Sequence, residues 1–317
     1  MAELSLELAD GSLLTGKTYL KLQPALELSS PAVPLLVLVH GGGCTCDFFD
    51  AGSKHSVRRF SEVLGVPVVT INRPAYGGTL PLADDKADKL STFIQRHGRW
   101  LHELALPAIW KEYSAPLNVS SIVLYGESIG GAVCTVAAGI HAKDPARYKL
   151  AGLVLSAMGS APKTEPLKPL FEDESMKGKQ LSIPRELLTS LAVADDQKVA
   201  NPAVWNASTC HHPTPVEEIY DINMQWPTYW RSYAGDVQVQ VLYSMGEFDN
   251  LWHLSAETMN EFTDAFTSSP WVESRLMKNA PHCIEFGYQC SGFLLRMFGF
   301  ALECAASMSI DEERDKR

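Results

Sequence analysis

The stretch from Ser121 to Ala142 constrains this chain more than any other. Ser121-Ile122-Val123-Leu124-Tyr125 is a short apolar run of strand character. It passes without a linker into Gly126-Glu127-Ser128-Ile129-Gly130-Gly131 and then into Ala132-Val133-Cys134-Thr135-Val136-Ala137-Ala138, a helix-forming stretch. A strand that turns into a helix within so few residues has no space for side chains two positions to either side of the turning residue, and Gly126 and Gly130 remove them. The Ser128 hydroxyl is then pushed into open space at a helix N-terminus, where backbone N–H groups and the helix dipole favour developing negative charge. Gly-x-Ser-x-Gly in this setting is the pattern of a nucleophile elbow, which makes Ser128 the expected nucleophile. The competing expectation is a serine that only caps a helix.

Around this junction the chain alternates between buried-strand and helix patterns. Strand-like runs fall at Leu4 to Leu8, Leu13 to Leu20, Leu35 to Val39, Val66 to Ile71, Leu153 to Leu155, Val237 to Tyr243 and Ser274 to Met277. Helix-length stretches include Val57 to Leu64, Lys89 to Tyr113, Gly130 to Ala142, Ala256 to Phe266 and Gly292 to Ala306. Uninterrupted aliphatic strands suit a sheet covered on both faces, so the expected fold class is α/β, a doubly wound and mostly parallel sheet. The alternation breaks once, over 160–235, which is rich in Pro, charge, Trp and Tyr. That segment is expected as an inserted cap, with 1–159 and 236–310 as the core and 311–317 as a charged, solvated tail.

A serine nucleophile needs donors for the oxyanion it creates. His40-Gly41-Gly42-Gly43 follows the aliphatic run Leu35 to Val39, where consecutive glycines let backbone amides approach a carbonyl. The expected donors are the N–H groups of Gly42 and Ile129, with Gly43 as the substitute. These two motifs in this order resemble the α/β-hydrolase superfamily, and the resemblance covers nearly all of the core. Asn72-Arg73-Pro74-Ala75-Tyr76-Gly77-Gly78 is similar to a structural loop of the family and departs from it at Asn72 and Ala75.

The resemblance implies that an acid and then a histidine follow the nucleophile. After the run Val239 to Tyr243, Gly246-Glu247-Phe248-Asp249 is similar to the family's acid segment and points to Asp249, with Glu247 as rival. Asn279-Ala280-Pro281-His282 precedes the last helix-like stretch and points to His282. The implied chemistry is acyl transfer through Ser128, with His282 as base and Asp249 orienting it; it requires no cofactor and no metal.

Composition narrows the partners. The chain has 317 residues and a formal net charge of -10, a balance that repels phosphate backbones and anionic lipid, so neither nucleic acid nor membrane is an expected partner. No secretory leader is evident, no apolar run approaches membrane-spanning length, and a cytoplasmic location is expected. Seven scattered cysteines are then free thiols rather than a disulfide framework. The expected partner is a small-molecule substrate. Trp205, Met224, Trp226 and Trp230 in the inserted segment are the expected binding surface, suited to a bulky, largely apolar ester, lactone or thioester. An acyltransferase, a lyase and a non-enzymatic receptor of the same fold are the alternatives.

Overall fold

The computed structural model describes residues 1–20, 32–82, 91–207 and 210–317. Eight strands form the main sheet: β1 (Ala2–Glu7), β2 (Leu13–Tyr19), β3 (Pro34–Val39), β4 (Val68–Ile71), β5 (Ser121–Glu127), β6 (Leu150–Ser156), β7 (Gln240–Phe248) and β8 (Val272–Pro281). Their spatial order is β1-β2-β4-β3-β5-β6-β7-β8. β2 runs antiparallel to both neighbours, and every pairing from β4 to β8 is parallel. Every residue of β3, β5 and β6 is buried, which is why these strands read as unbroken aliphatic runs.

Alternation along β3 divides the core. Leu35, Val37 and Val39 face one apolar layer, and Leu36 and Leu38 face the other. The second layer is completed by α1 (Val57–Leu64). The first is built from α2 (Phe93–Trp100), α3 (Leu106–Tyr113), joined to α2 through a π-turn, and α4 (Ile129–His141). The α2 helix starts at a capping box in which Thr92 accepts the Gln95 N–H and Gln95 accepts the Thr92 N–H. The helix expected from Lys89 therefore begins at Phe93; Lys89 and Leu90 lie outside the described residues.

Between β6 and β7 lie α5 (Lys168–Glu172), α6 (Arg185–Val193), α7 (Pro202–Ala207), α8 (Val216–Tyr220) and α9 (Trp226–Asp236). This stretch does not behave as one body. Leu170 of α5, Leu187 of α6, Trp205 of α7 and Ile219 of α8 wall a cavity above the sheet, whereas α9 packs on α4 inside the first core layer. Trp226 and Trp230, one helical turn apart, stack at 6.1 Å, and Trp230 stacks on Phe262 at 5.0 Å. Gly139 of α4 permits the approach: a Cβ there would lie 2.6 Å from the Tyr233 carbonyl oxygen.

After β7, α10 (Ala256–Asp264) joins the first layer and α11 (Cys290–Asp315) the second. Contrary to the sequence expectation, α11 is long and apolar enough to cross a membrane by length and composition. Phe293, Leu294, Met297, Phe298 and Ala301 bury one of its faces in the core. Residues 311–315, expected as tail, continue this helix; all but Glu312, which pairs with Lys149, are exposed.

Candidate active site

Ser128 sits between β5 and α4 with φ 51° and ψ −125°, a conformation that a non-glycine residue adopts only when its surroundings force it. The two glycines act as sterics predict. A Cβ on Gly126 would lie 2.5 Å from the Gly130 carbonyl oxygen, and one on Gly130 would lie 2.6 Å from the His40 carbonyl oxygen. Ser128 is 9% exposed, which leaves its hydroxyl at the floor of the cavity.

His282, directly after β8, and Asp249, directly after β7, meet this hydroxyl. His282 Nδ1 lies 2.6 Å from Asp249 Oδ2, and His282 Nε2 lies 3.0 Å from Ser128 Oγ. A carboxylate only accepts, so Nδ1 carries the ring proton, and Nε2 is left to accept from the serine. Asp249 is fixed in turn, because its Oδ1 accepts the N–H groups of Leu251 (2.8 Å) and Trp252 (3.2 Å). Glu247, the rival acid, is exposed and accepts the Asn279 N–H at 2.8 Å, away from the histidine ring.

A second carboxylate is present that sequence reasoning missed. Glu127 is 1% exposed, its Oε1 lies 3.8 Å from His282 Nε2, and its Oε2 accepts the Gly41 N–H at 2.9 Å. An acidic side chain beside the elbow serine, on a strand that is otherwise apolar, was the available signal. Burial raises the Glu127 pKa. Burial alone would depress His282, but the charge and hydrogen bond of Asp249, with the charge of Glu127, outweigh it and raise the imidazole above its ordinary value.

Of the glycine amides after β3, Gly41 donates to Glu127 and Gly43 makes a long contact with the Tyr76 hydroxyl oxygen at 3.5 Å. Among the described residues the N–H groups of Gly42 and Ile129 have no protein acceptor, and both residues line the cavity. Gly42 and Ile129 are thus placed together, whereas the Gly43 amide is turned elsewhere.

The cavity has a volume of about 350 Å³. Its walls are mainly aliphatic, with Leu167, Leu170, Ile183, Leu187, Leu191 and Ile219 prominent, and Trp205 and Trp252 are its aromatic members. Met224, Trp226 and Trp230 do not line it. Met224 is 40% exposed in the π-turn Asp221–Gln225, and both tryptophans are fully buried behind the site. Glu127, His282 and Cys283 bring ligand atoms within 4.8 Å of one another, but His282 Nε2 already faces Ser128, and burial pushes the Cys283 thiol well above its ordinary pKa. All seven cysteines are buried and free.

Comparison with known proteins places the chain in a family. No curated protein sequence matches the chain. Its structure is similar to that of a thermophilic esterase from Thermogutta terrifontis, bound to malate, with a TM-score of 0.63 and 14% identity over 96% of this chain and 100% of the other. It is also similar to Est816, described as an N-acyl homoserine lactone degrading enzyme (TM-score 0.59, 16% identity, 94% and 100% covered). Esterase RhEst1 from Rhodococcus sp. ECU1013 is a third such structure (TM-score 0.59, 14% identity, 95% and 98% covered). A family model described as the alpha/beta hydrolase family matches residues 36–285, and the chain belongs to that family.

Proposed function

We propose that the protein is a serine hydrolase that cleaves an ester, lactone or thioester through an acyl-enzyme on Ser128. The observation that carries this reading is the buried chain Asp249–His282–Ser128, at 2.6 and 3.0 Å, opening into an apolar cavity beside two unengaged backbone N–H groups. His282 Nε2 takes the hydroxyl proton as Ser128 Oγ attacks the carbonyl carbon, and Asp249 holds the ring in the productive tautomer. The N–H groups of Gly42 and Ile129 bind the developing oxyanion. His282 then protonates the leaving group, and water, deprotonated by the same ring, releases the acid.

Within the bulky, largely apolar class expected from the sequence, the aliphatic wall favours a flexible hydrocarbon acyl chain. Burial of each added methylene contributes about 0.8 kcal/mol. Along a series of p-nitrophenyl esters from acetate to octanoate, kcat/KM is expected to rise about fourfold per methylene until the cavity is full. The same series run in isotopically labelled water tests hydrolysis: solvent oxygen appears in the released acid. Preference for acetate would refute the acyl-chain assignment, and acid without solvent oxygen would refute hydrolysis.

A pH profile reports the electrostatics of the base. His282 acts in its neutral form, so activity falls as pH drops through its pKa. Because that pKa is raised, the acid limb of kcat/KM is expected above the ordinary histidine value of 6.5. Glu127→Gln keeps an acceptor for the Gly41 N–H and removes a charge 3.8 Å from Nε2. The acid limb should then move to lower pH. An unmoved limb would show that Glu127 carries no charge in the resting enzyme.

A further inference from the structure

A buried ion pair outside the triad ties α8 to the loop that carries Gly42. Arg73, in the loop after β4, is fully buried; its Nε donates to the His40 carbonyl (2.8 Å) and its Nη2 donates to the Gly41 carbonyl (2.8 Å) and to Glu218 Oε1 (2.7 Å). Glu218, on α8, is equally buried, and its two oxygens accept from the Tyr76 hydroxyl at 3.2 Å each. His40 joins the network from the other side. Its Nε2 accepts the Arg73 backbone N–H (3.2 Å), which leaves the ring proton on Nδ1, 2.8 Å from the Gly41 carbonyl oxygen. Burial and the neighbouring Arg73 charge depress the His40 pKa, so the ring stays neutral.

Peptide geometry converts these contacts into a constraint on Gly42. The Gly41 carbonyl and the Gly42 N–H belong to one planar trans unit and point in opposite directions. With the carbonyl oxygen held by Arg73 and His40, the N–H is aimed away from them. Hydrogen bonding of that oxygen to a cation also polarises the unit and strengthens its N–H as a donor. Glu218 does not line the cavity, but Thr214, Ile219, Ile222 and Asn223, on either side of it in sequence, do.

We propose that Glu218 is a positioning residue: it holds Arg73 against the His40 and Gly41 carbonyls and thereby fixes the direction of the Gly42 N–H. The segment that touches the substrate's apolar part also sets the donor for its oxyanion. This inference rests on the acyl-transfer reading above.

The test compares wild type with Glu218→Gln and with the double variant Arg73→Met/Glu218→Leu on a p-nitrophenyl ester. Glu218→Gln is expected to lower kcat by roughly 10- to 100-fold, less than removing an oxyanion donor outright, with KM changed by less than about threefold. Inhibition by an alkyl trifluoromethyl ketone, whose Ser128 adduct places an oxyanion in the site, should weaken by the same factor as kcat/KM. Binding of the corresponding secondary alcohol, which forms no oxyanion, should not change. The double variant replaces the pair by apolar side chains and leaves no uncompensated buried charge. It should still fold, with an unfolding temperature lowered because the His40 carbonyl and the Tyr76 hydroxyl lose partners, and still lose at least as much kcat; if Glu218→Gln fails to fold, this variant decides alone. Wild-type kcat in the folded double variant would overturn the proposal. So would a loss of kcat in Glu218→Gln with unchanged ketone affinity. Failure of the wild type itself to hydrolyse the ester would refute the acyl-transfer reading instead.

Discussion

Replacing Ser128 by Ala is expected to lower kcat on an aryl ester by about 10⁶, leaving only the turnover supplied by binding and the oxyanion donors, about 10³–10⁴ above the reaction in water. The size of the effect follows from the loss of a whole pathway: without Oγ there is no acyl-enzyme, and His282 can at best activate water from a position built for another nucleophile. The fold should tolerate the change, since alanine keeps the Cβ that already occupies the strained turn and removes one partly exposed oxygen. Fluorophosphonate should label wild-type protein at Ser128 and leave the variant unlabelled. Equal turnover by the two proteins would remove Ser128 from the chemistry.

Asp249→Asn should cost about 10⁴ in kcat. The reason is the tautomer rather than the charge alone. An amide can present its NH2 to Nδ1, and a ring that accepts there carries its proton on Nε2, where it cannot take one from Ser128. Glu247→Gln should stay within about twofold, because Gln keeps an acceptor for the Asn279 N–H and the side chain is exposed. Larger loss from Glu247→Gln than from Asp249→Asn would exchange their roles.

The parts of this site that sequence made legible share one property: each lies at the end of a strand whose burial is written locally. Ser128, Asp249 and His282 follow β5, β7 and β8, and Gly42 follows β3, so strand pattern, with the acid and histidine order that the family resemblance implies, was enough to point to them as candidates. Trp226 and Trp230 were misassigned because position in the chain, between β6 and β7, is a poor guide to which face a helix presents. The π-turn Asp221–Gln225 separates Ile219, which lines the cavity, from the two tryptophans, which pack on α4 and Phe262. An extra residue in a helical turn leaves no simple mark in a 3.6-residue period. The pairing of Arg73 with Glu218 spans 145 positions. No local pattern encodes it, and Arg73 was legible only as part of a structural loop.

The segment between β6 and β7 is fastened to both halves of the candidate site. Through Glu218 it grips the loop of Gly42. Through the Ala192 carbonyl it accepts the Cys283 N–H at 2.8 Å, beside His282, and the His212 N–H donates to the Gly43 carbonyl at 2.9 Å. Exchange of the whole segment would break each of these fastenings. Single replacements along the aliphatic wall, at Leu170, Leu187 or Leu191, would change the shape of the cavity and leave them in place.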